Sequence, residues 1–157
     1  MTFVLDTGLL GRLCHPHVAQ HQQLTEWVAE VLSKAPRDTR LILPEIADYE
    51  LRRKLLHLIK RNPRAERSLR RLDELAAILE YRALSTATMR RAAALWADAR
   101  QRGLPTAPPE ALDSDVILAA QALEVDGTIV TTNRKHISRF APALGWEDVA
   151  STGVHQR

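Results

Sequence analysis

The chain has 157 residues, of which 45% are hydrophobic and 26% are charged, the usage of an ordinary globular protein of one domain. Its single cysteine excludes an internal disulfide, and we find neither a signal peptide nor an apolar run long enough to span a bilayer. We therefore expect one domain over residues 1–157, in the cytoplasm and away from membranes. The formal net charge of +3 is too small to indicate a polyanionic partner by itself.

Short apolar runs alternate with amphipathic segments along the whole chain. Strands are predicted at residues 2–6, 40–44, 81–85 and 128–133, with a short last strand at 145–149. Helices are predicted from residue 8 and then at residues 21–35, 44–62, 64–79, 86–103 and 112–127, with a loop at 104–111 and a short helix near residue 134. Short buried strands between longer helices are typical of a parallel sheet covered on both faces. The sequence therefore predicts an α/β fold of three layers, α/β/α.

Acidic and amide side chains lie where the predicted strands end or where the following helices begin. Asp6 ends the first strand, and Glu50 lies two turns into the helix after the second strand. Asp113 and Asp115 begin the helix before the fourth strand, and Asn133 follows that strand directly. Because ligands bind outside the carboxyl ends of the strands in such sheets, we expect these side chains to converge at one edge.

Each acid also has a purely local explanation. Asp6, Asp113 or Asp115 could cap a helix, and Glu50 could pair with a basic neighbour on its own helix. Together, however, carboxylates from separate segments repel one another unless a divalent cation neutralises them. Oxygen ligands without Cys or paired His suit Mg²⁺ or Mn²⁺. We therefore predict a Mg²⁺ or Mn²⁺ site at Asp6, Glu50 and Asp115, with Asp113 as a further candidate ligand.

A strongly basic stretch runs from Arg52 to Arg71. It contains nine Lys or Arg residues and a single acid, Glu66. Such a stretch is either the solvated face of a helix pair or a surface that binds a polyanion, and charge alone does not separate the two interpretations.

Two histidines upstream, His17 and His21, are four residues apart. No acid lies near them in the sequence to complete a set of ligands. We therefore favour a polar loop that enters a helix over a structural Zn²⁺ site.

Three blocks of the sequence, FVLDTGLLGRL, PEIADYELRRKLL and LDSDVILAAQALEVDGTIVTTNRKHISRF, resemble the successive blocks of PIN-domain proteins, in the same order and spacing. That family includes Mg²⁺-dependent ribonucleases that act as VapC-like toxins of bacterial toxin–antitoxin pairs. The resemblance implies that Asp6, Glu50 and Asp115 form the acidic catalytic site. It also implies hydrolysis of an RNA phosphodiester with Mg²⁺ or Mn²⁺ as cofactor, giving products with a 3′-hydroxyl and a 5′-phosphate.

The chain departs from the family's pattern after the fourth strand, where the family often has a fourth acid. Asn133 and His136 stand there instead, so we expect one tightly bound cation. Asn133, Thr7 and Thr132 are candidates for contacts with the ligands or the phosphate, and the two threonines could equally make local turn bonds.

The resemblance implies that the polyanion bound by the basic stretch is the RNA backbone. The candidate arginines for that contact are Arg52, Arg53, Arg64, Arg67, Arg70 and Arg71. The family also implies a cognate antitoxin that covers the site, and a homodimer.

Two other functional classes are compatible with part of the pattern. A phosphoaspartate enzyme also places an Asp after a strand, but its D-x-D form needs a second Asp where this chain has Gly8. A catalytically weak or inactive PIN-like module that binds RNA or protein without cutting is the other alternative. Cleavage that depends on a metal ion and on Asp6 separates the enzyme from the binding module.

Overall fold

Five parallel strands form one sheet in the computed structural model, which describes residues 1–34, 36–103 and 109–152. In chain order they are β1 (Thr2–Leu5), β2 (Arg40–Pro44), β3 (Glu80–Arg82), β4 (Thr128–Thr131) and β5 (Ala143–Gly145). The order across the sheet is β3-β2-β1-β4-β5. β1 is therefore central, and it pairs with β2 on one side and with β4 on the other.

Helices connect the strands and cover both faces of the sheet. They are α1 (Thr7–Leu13), α2 (Gln22–Lys34), α3 (Glu45–Leu58), α4 (Arg64–Ile78), α5 (Thr86–Gln101), α6 (Pro109–Glu124), α7 (Arg134–Ile137) and α8 (Trp146–Thr152), with a 3₁₀ turn at Val18–His21. Within the described ranges, no helix combines the length and the apolar character needed to cross a membrane.

The alternation of side chains along the strands divides the core into two layers. Val4 and Ile129 point to one face, where they pack with residues of α6 and α7. Leu5 and Val130 point to the other face and pack with residues of α1, α2, α3, α4 and α8. This is the period of two that a pleated strand imposes. The predicted α/β/α arrangement with a short-stranded parallel sheet is confirmed.

The ends of several predicted elements are wrong. Residues 145–149 do not form a strand, because α8 begins at Trp146 and the last strand ends at Gly145. Trp146 is buried against Trp27, with ring centroids 5.6 Å apart, and the two acids that follow it favour the first turn of a helix. β3 occupies 80–82 rather than 81–85.

The helix before β4 begins earlier than we predicted. α6 starts at Pro109, and proline is favoured in the first turn of a helix. Asp113 and Asp115 therefore lie inside the helix and do not begin it. The predicted loop at 104–111 overlaps this helix at its end, and residues 104–108 lie outside the described residues.

Two glycines give a matched test of the packing. A Cβ at Gly127 would lie 2.8 Å from Val4 Cγ2 in the core, whereas a Cβ at Gly11 would make an ordinary contact of 3.7 Å with Leu51. We expect Gly127→Ala to lower the free energy of unfolding by about 1–3 kcal/mol through overpacking. Gly11→Ala, within α1, is expected to raise it by about 0.5–1 kcal/mol. Urea titration of both variants checks this, and a neutral Gly127→Ala would contradict the described packing of this glycine against β1.

Candidate functional site

Asp6 stands where β1 ends and α1 begins, and only 8% of it is exposed. Its Oδ1 accepts a hydrogen bond from the Leu9 backbone N–H at 2.7 Å, so Asp6 is the N-cap of α1. Its Oδ2 accepts a bond of 2.5 Å from Thr131 Oγ1 at the end of β4. Burial raises the pKa of Asp6, and the bonds from Thr131 and Leu9 oppose that rise. The capping role considered from the sequence is confirmed, and the second oxygen ties the β1–α1 junction to β4.

Glu50 reaches the same edge of the sheet from α3. Its Oε2 accepts a hydrogen bond of 2.6 Å from Thr7 Oγ1, and Thr7 directly follows Asp6. Its Oε1 lies 3.8 Å from the Arg53 guanidinium, so the pairing within α3 is present but loose. The sequence suggested Thr7 as a partner of the ligands or of a phosphate, and the structure joins it to one of the predicted ligands.

Asp115 approaches from α6 on the other side. The pKa of Asp115 is raised to about 6, by burial first and then by the negative charges of Glu50 and Asp6, while His136 on α7 lowers it. The charges of Glu50 and Asp6 thus act on Asp115 at the carboxyl ends of β1 and β4. Glu50 is joined to the same edge by its bond from Thr7, the residue after Asp6.

The donor chemistry of this group fits Mg²⁺ or Mn²⁺, because the donors are carboxylate oxygens with hydroxyl groups behind them. The spacing is looser than that of a closed site. Among the described residues, no group of three or more His, Cys, Asp or Glu side chains is arranged tightly enough to hold a metal ion as it stands. Mg²⁺ commonly keeps several waters and bonds directly to one or two carboxylates, so water can bridge such a spacing.

Gly8 lies close against Asp6 and Thr132. A Cβ at this position would lie 3.1 Å from Thr132 Oγ1 and 3.5 Å from Asp6 Oδ1. Thr132 and Asn133 are exposed. The Asn133 backbone N–H donates to Thr131 Oγ1 at 2.9 Å, and its side chain makes no capping bond to α7. Contacts of Thr132 and Asn133 with a metal ion or a phosphate stay predictions.

Asp113 lies on a different surface of α6. It is exposed and lines a groove of about 350 Å³ between α5 and α6, beside apolar residues that include Met89 and Trp96. It is not among the charges that shift the pKa of Asp6 or of Asp115. Its role as a metal ligand stays a prediction, and the structure does not bring it to the other three acids.

Sequence reasoning selected Thr132 and missed Thr131, whose hydroxyl bonds Asp6 directly. The register of the sheet pairs Leu5 with Val130, which places Thr131 beside Asp6. The only signal in the sequence was a hydroxyl residue at the end of an apolar run, and its meaning depends on knowing that β4 pairs with β1.

The arginines of the basic stretch have different surroundings. Arg52 is held between Asp48 and Asp73, with bonds of 2.9 and 2.8 Å. Arg70 lies 3.4 Å from Glu66 on the same helix. Three others also have neighbours of their own: Arg53 lies near Glu50 and over the ring of Tyr49, and Arg64 and Arg71 lie against the segment that follows α1. The contact of these arginines with RNA stays a prediction.

The raised pKa of Asp115 gives a pH-dependent test. Between about pH 4 and about pH 6 the folded state holds a proton that the unfolded state has released, so stability falls as pH rises through this window. We expect Asp115→Asn to exceed the parent in free energy of unfolding by about 1–2 kcal/mol above that window and to match it below. Denaturation across pH measures this, with Glu74→Gln, an exposed acid on α4, as the control. An Asp115→Asn variant that is less stable at pH 8 would contradict the electrostatic coupling.

Known structures share this fold. A chain of VapBC2 from Rickettsia felis, solved with a DNA fragment from its promoter, is 20% identical, covers 93% of this chain and 99% of its own, and superposes with a TM-score of 0.68. A chain of FitAcB from Neisseria gonorrhoeae is 17% identical over 90% of this chain and 96% of its own, with a TM-score of 0.69. A chain of DNA-bound VapBC from Salmonella typhimurium is 20% identical over 93% and 98%, with a TM-score of 0.67. At these identities the likeness concerns the fold.

None of the curated proteins is significantly similar to this chain in sequence. The family assignment comes from a sequence model of the PIN domain, which matches residues 3–141. This range contains β2, β3 and β4, all of β1 but its first residue, and Asp6, Glu50 and Asp115. The chain belongs to the PIN-domain family.

Proposed function

We propose that this protein is a Mg²⁺- or Mn²⁺-dependent endoribonuclease and the toxin of a toxin–antitoxin pair. The observation that carries the proposal is the PIN-domain match, supported by the placement of Asp6 at the end of β1 and by the bond from the adjoining Thr7 to Glu50. When bound there, the cation would polarise the phosphate and lower the pKa of a water. The residues that would hold it are Asp6, Glu50 and Asp115.

The chain's own residues prepare the site for that role. Thr131 Oγ1 and the Leu9 N–H fix the Asp6 carboxylate, and Thr7 Oγ1 fixes Glu50. These bonds set the direction of the carboxylate oxygens before any ligand arrives, which lowers the cost of binding. Below about pH 6 the Asp115 carboxyl holds a proton, which it must release before it can act as a ligand.

A side-chain nucleophile is not part of the proposal. Cys14 is 1% exposed, and burial raises the pKa of its thiol to about 12, so it does not supply a thiolate at neutral pH. We propose water as the attacking group, and the resemblance to PIN-domain ribonucleases implies products with a 3′-hydroxyl and a 5′-phosphate.

The proposed partner is an antitoxin protein. Its support is the fold shared with chains of the VapBC and FitAcB structures. The antitoxin would cover the acidic edge and prevent access of RNA. A homodimer is part of the same proposal.

The second candidate is a PIN-like module that binds RNA or protein without cutting. The observation in its favour is the loose spacing of the acids, because no closed metal site stands among the described residues. The chain also lacks an acid at Asn133. The two candidates differ in one measurable property, metal-dependent cleavage.

Cleavage of single-stranded RNA with Mn²⁺ or Mg²⁺ tests the proposal. We expect a cut with a 5′-phosphate by mass spectrometry, and a loss of at least about a hundredfold in rate for Asp6→Asn and Asp115→Asn, since even outer contacts to a metal site are worth 10–100-fold. Asn keeps the oxygen that caps α1, but its amide nitrogen cannot accept the Thr131 O–H, so the circular dichroism spectrum of Asp6→Asn is compared with that of the parent. Glu74→Gln is the matched control. Cleavage that persists unchanged in both variants, or that needs no metal, would sink the proposal.

Asn133→Asp tests the fourth position. The substitution adds a carboxylate directly after β4, where the Asn133 N–H bonds Thr131, so we expect tighter Mn²⁺ binding to the free protein, by about tenfold, and faster cleavage. In the unmodified protein we expect one tight cation and more activity with Mn²⁺ than with Mg²⁺, because His136 is a better ligand for Mn²⁺. Calorimetric titration measures the binding, and cleavage assays with each metal measure the activity. Two equivalent Mg²⁺ sites in the unmodified protein would contradict the expectation of one tight cation and indicate that another acid occupies the fourth ligand position.

A further inference from the structure

Three histidines pack together in the segment that follows α1. The ring centroids of His15 and His21 are 5.3 Å apart, and those of His15 and His17 are 5.7 Å apart. The His17 backbone N–H donates to His15 Nδ1 at 3.1 Å, which fixes the turn. The sequence predicted a polar loop here on the basis of only two of the three histidines.

Arginines from two helices surround this segment. On α4, Arg71 donates to the His15 carbonyl oxygen at 2.9 Å, and the Arg64 guanidinium lies 3.4 Å from His17 Nε2. Arg67 lies between these two on the same face of α4 by its helical spacing. From α1, the positive charge of Arg12 acts on His21. We call these residues the histidine–arginine surface: His15, His17, His21, Arg12, Arg64, Arg67 and Arg71.

The arginines of the histidine–arginine surface form no ion pair in the part of the chain that the structure describes. None of the four has a carboxylate within 4.0 Å there, whereas Arg52 nearby has two and Arg70 has one. On α2, Glu26 is engaged by Gln22, and Thr25 bonds the His21 carbonyl oxygen. A concentration of positive charge without ion pairs is stabilised by an external anion.

The contact between Arg64 and His17 depends on the protonation of the imidazole. Arginine can only donate, so a contact at His17 Nε2 needs the neutral ring. The pKa of His21 is lowered, first by burial and then by His15 and Arg12. A phosphate placed beside His21 would favour its protonated ring.

The surface adjoins the acidic site through Arg12. The charge of Arg12 acts both on Asp6 and on His21, so α1 connects the carboxylates at its first turn with the histidines beyond its last. A strand of RNA whose scissile phosphate lies at Asp6 could follow this direction onto α4.

We propose that the histidine–arginine surface binds the sugar–phosphate backbone of the RNA substrate, with His21 taking up a proton as the RNA binds. The inference rests on the proposed function and assigns the path of the substrate away from the acidic site. Flexible arginines suit phosphates, and exposed imidazole and guanidinium planes can stack with unpaired bases. An acidic polypeptide could meet the same charges, but it would not explain the continuity with the carboxylates that the proposal places at the reacting phosphate.

The test measures the affinity of a labelled single-stranded RNA for the Asp6→Asn protein, which leaves the RNA uncut, by fluorescence anisotropy. Arg64→Gln with Arg67→Gln is expected to weaken binding about tenfold. The two substitutions leave two phosphates without an arginine, so the slope of log K against log salt should fall by about 1.4, at about 0.7 for each phosphate. From about pH 8 to about pH 6 the affinity is expected to rise about fivefold, and His21→Gln is expected to abolish that rise.

The matched controls are His57→Gln on α3 and Arg91→Gln on α5, both exposed, and their affinity, salt slope and pH dependence should equal those of the parent. If the surface variants also equal the parent, the inference falls while the proposed function stands. If no protein binds or cleaves RNA at any salt concentration, both fall. Binding of polyglutamate, but not of RNA, with the same dependence on the arginines would assign the surface to an acidic polypeptide and overturn the inference.

Discussion

The buried carboxylate of Asp6 is the constraint on which the site depends. A charge at the end of a central strand is costly unless hydrogen bonds meet it, and here the Leu9 N–H and the Thr131 hydroxyl do so. One side chain thus joins β1, α1 and β4. The same bonds aim the carboxylate at the edge of the sheet, where Glu50 and Asp115 approach it. The stability of the fold and the proposed chemistry therefore depend on the same contacts. The negative charges of Glu50 and Asp6 near Asp115 oppose ionisation of its carboxyl, which lowers stability where Asp115 is ionised.

Much of the fold could be predicted from the sequence because its signals are local. The apolar run before Asp6 and the alternation with amphipathic helices predicted a parallel sheet with a carboxylate at its edge. The hydrogen-bond partners of that carboxylate could not be predicted in this way, because Thr131 meets Asp6 only through the pairing of β1 with β4. The helix at Trp146 was missed for a similar reason: its burial against Trp27 is a tertiary contact that no local pattern contains.

The basic stretch shows how position in the fold changes the meaning of charge. In the sequence Arg52 and Arg64 look equivalent, yet Arg52 is held by Asp48 and Asp73, whereas Arg64 lies against His17. Arg52 therefore also connects α3 with α4. The contacts that distinguish the two arginines come largely from other segments of the chain. Asp113 and Asp115 show the same effect at short range, because two residues on a helix point about 200° apart and only Asp115 reaches the acids.

The most direct test of the acidic site is the position of a bound cation. Crystals soaked in Mn²⁺ and measured near the manganese absorption edge would give an anomalous peak at each ordered ion. We expect the strongest peak between the carboxylates of Asp6 and Asp115, with Glu50 as a direct or water-mediated ligand. A fully occupied Mn²⁺ elsewhere on the protein, with no peak between these carboxylates, would contradict the assignment of the site to these acids.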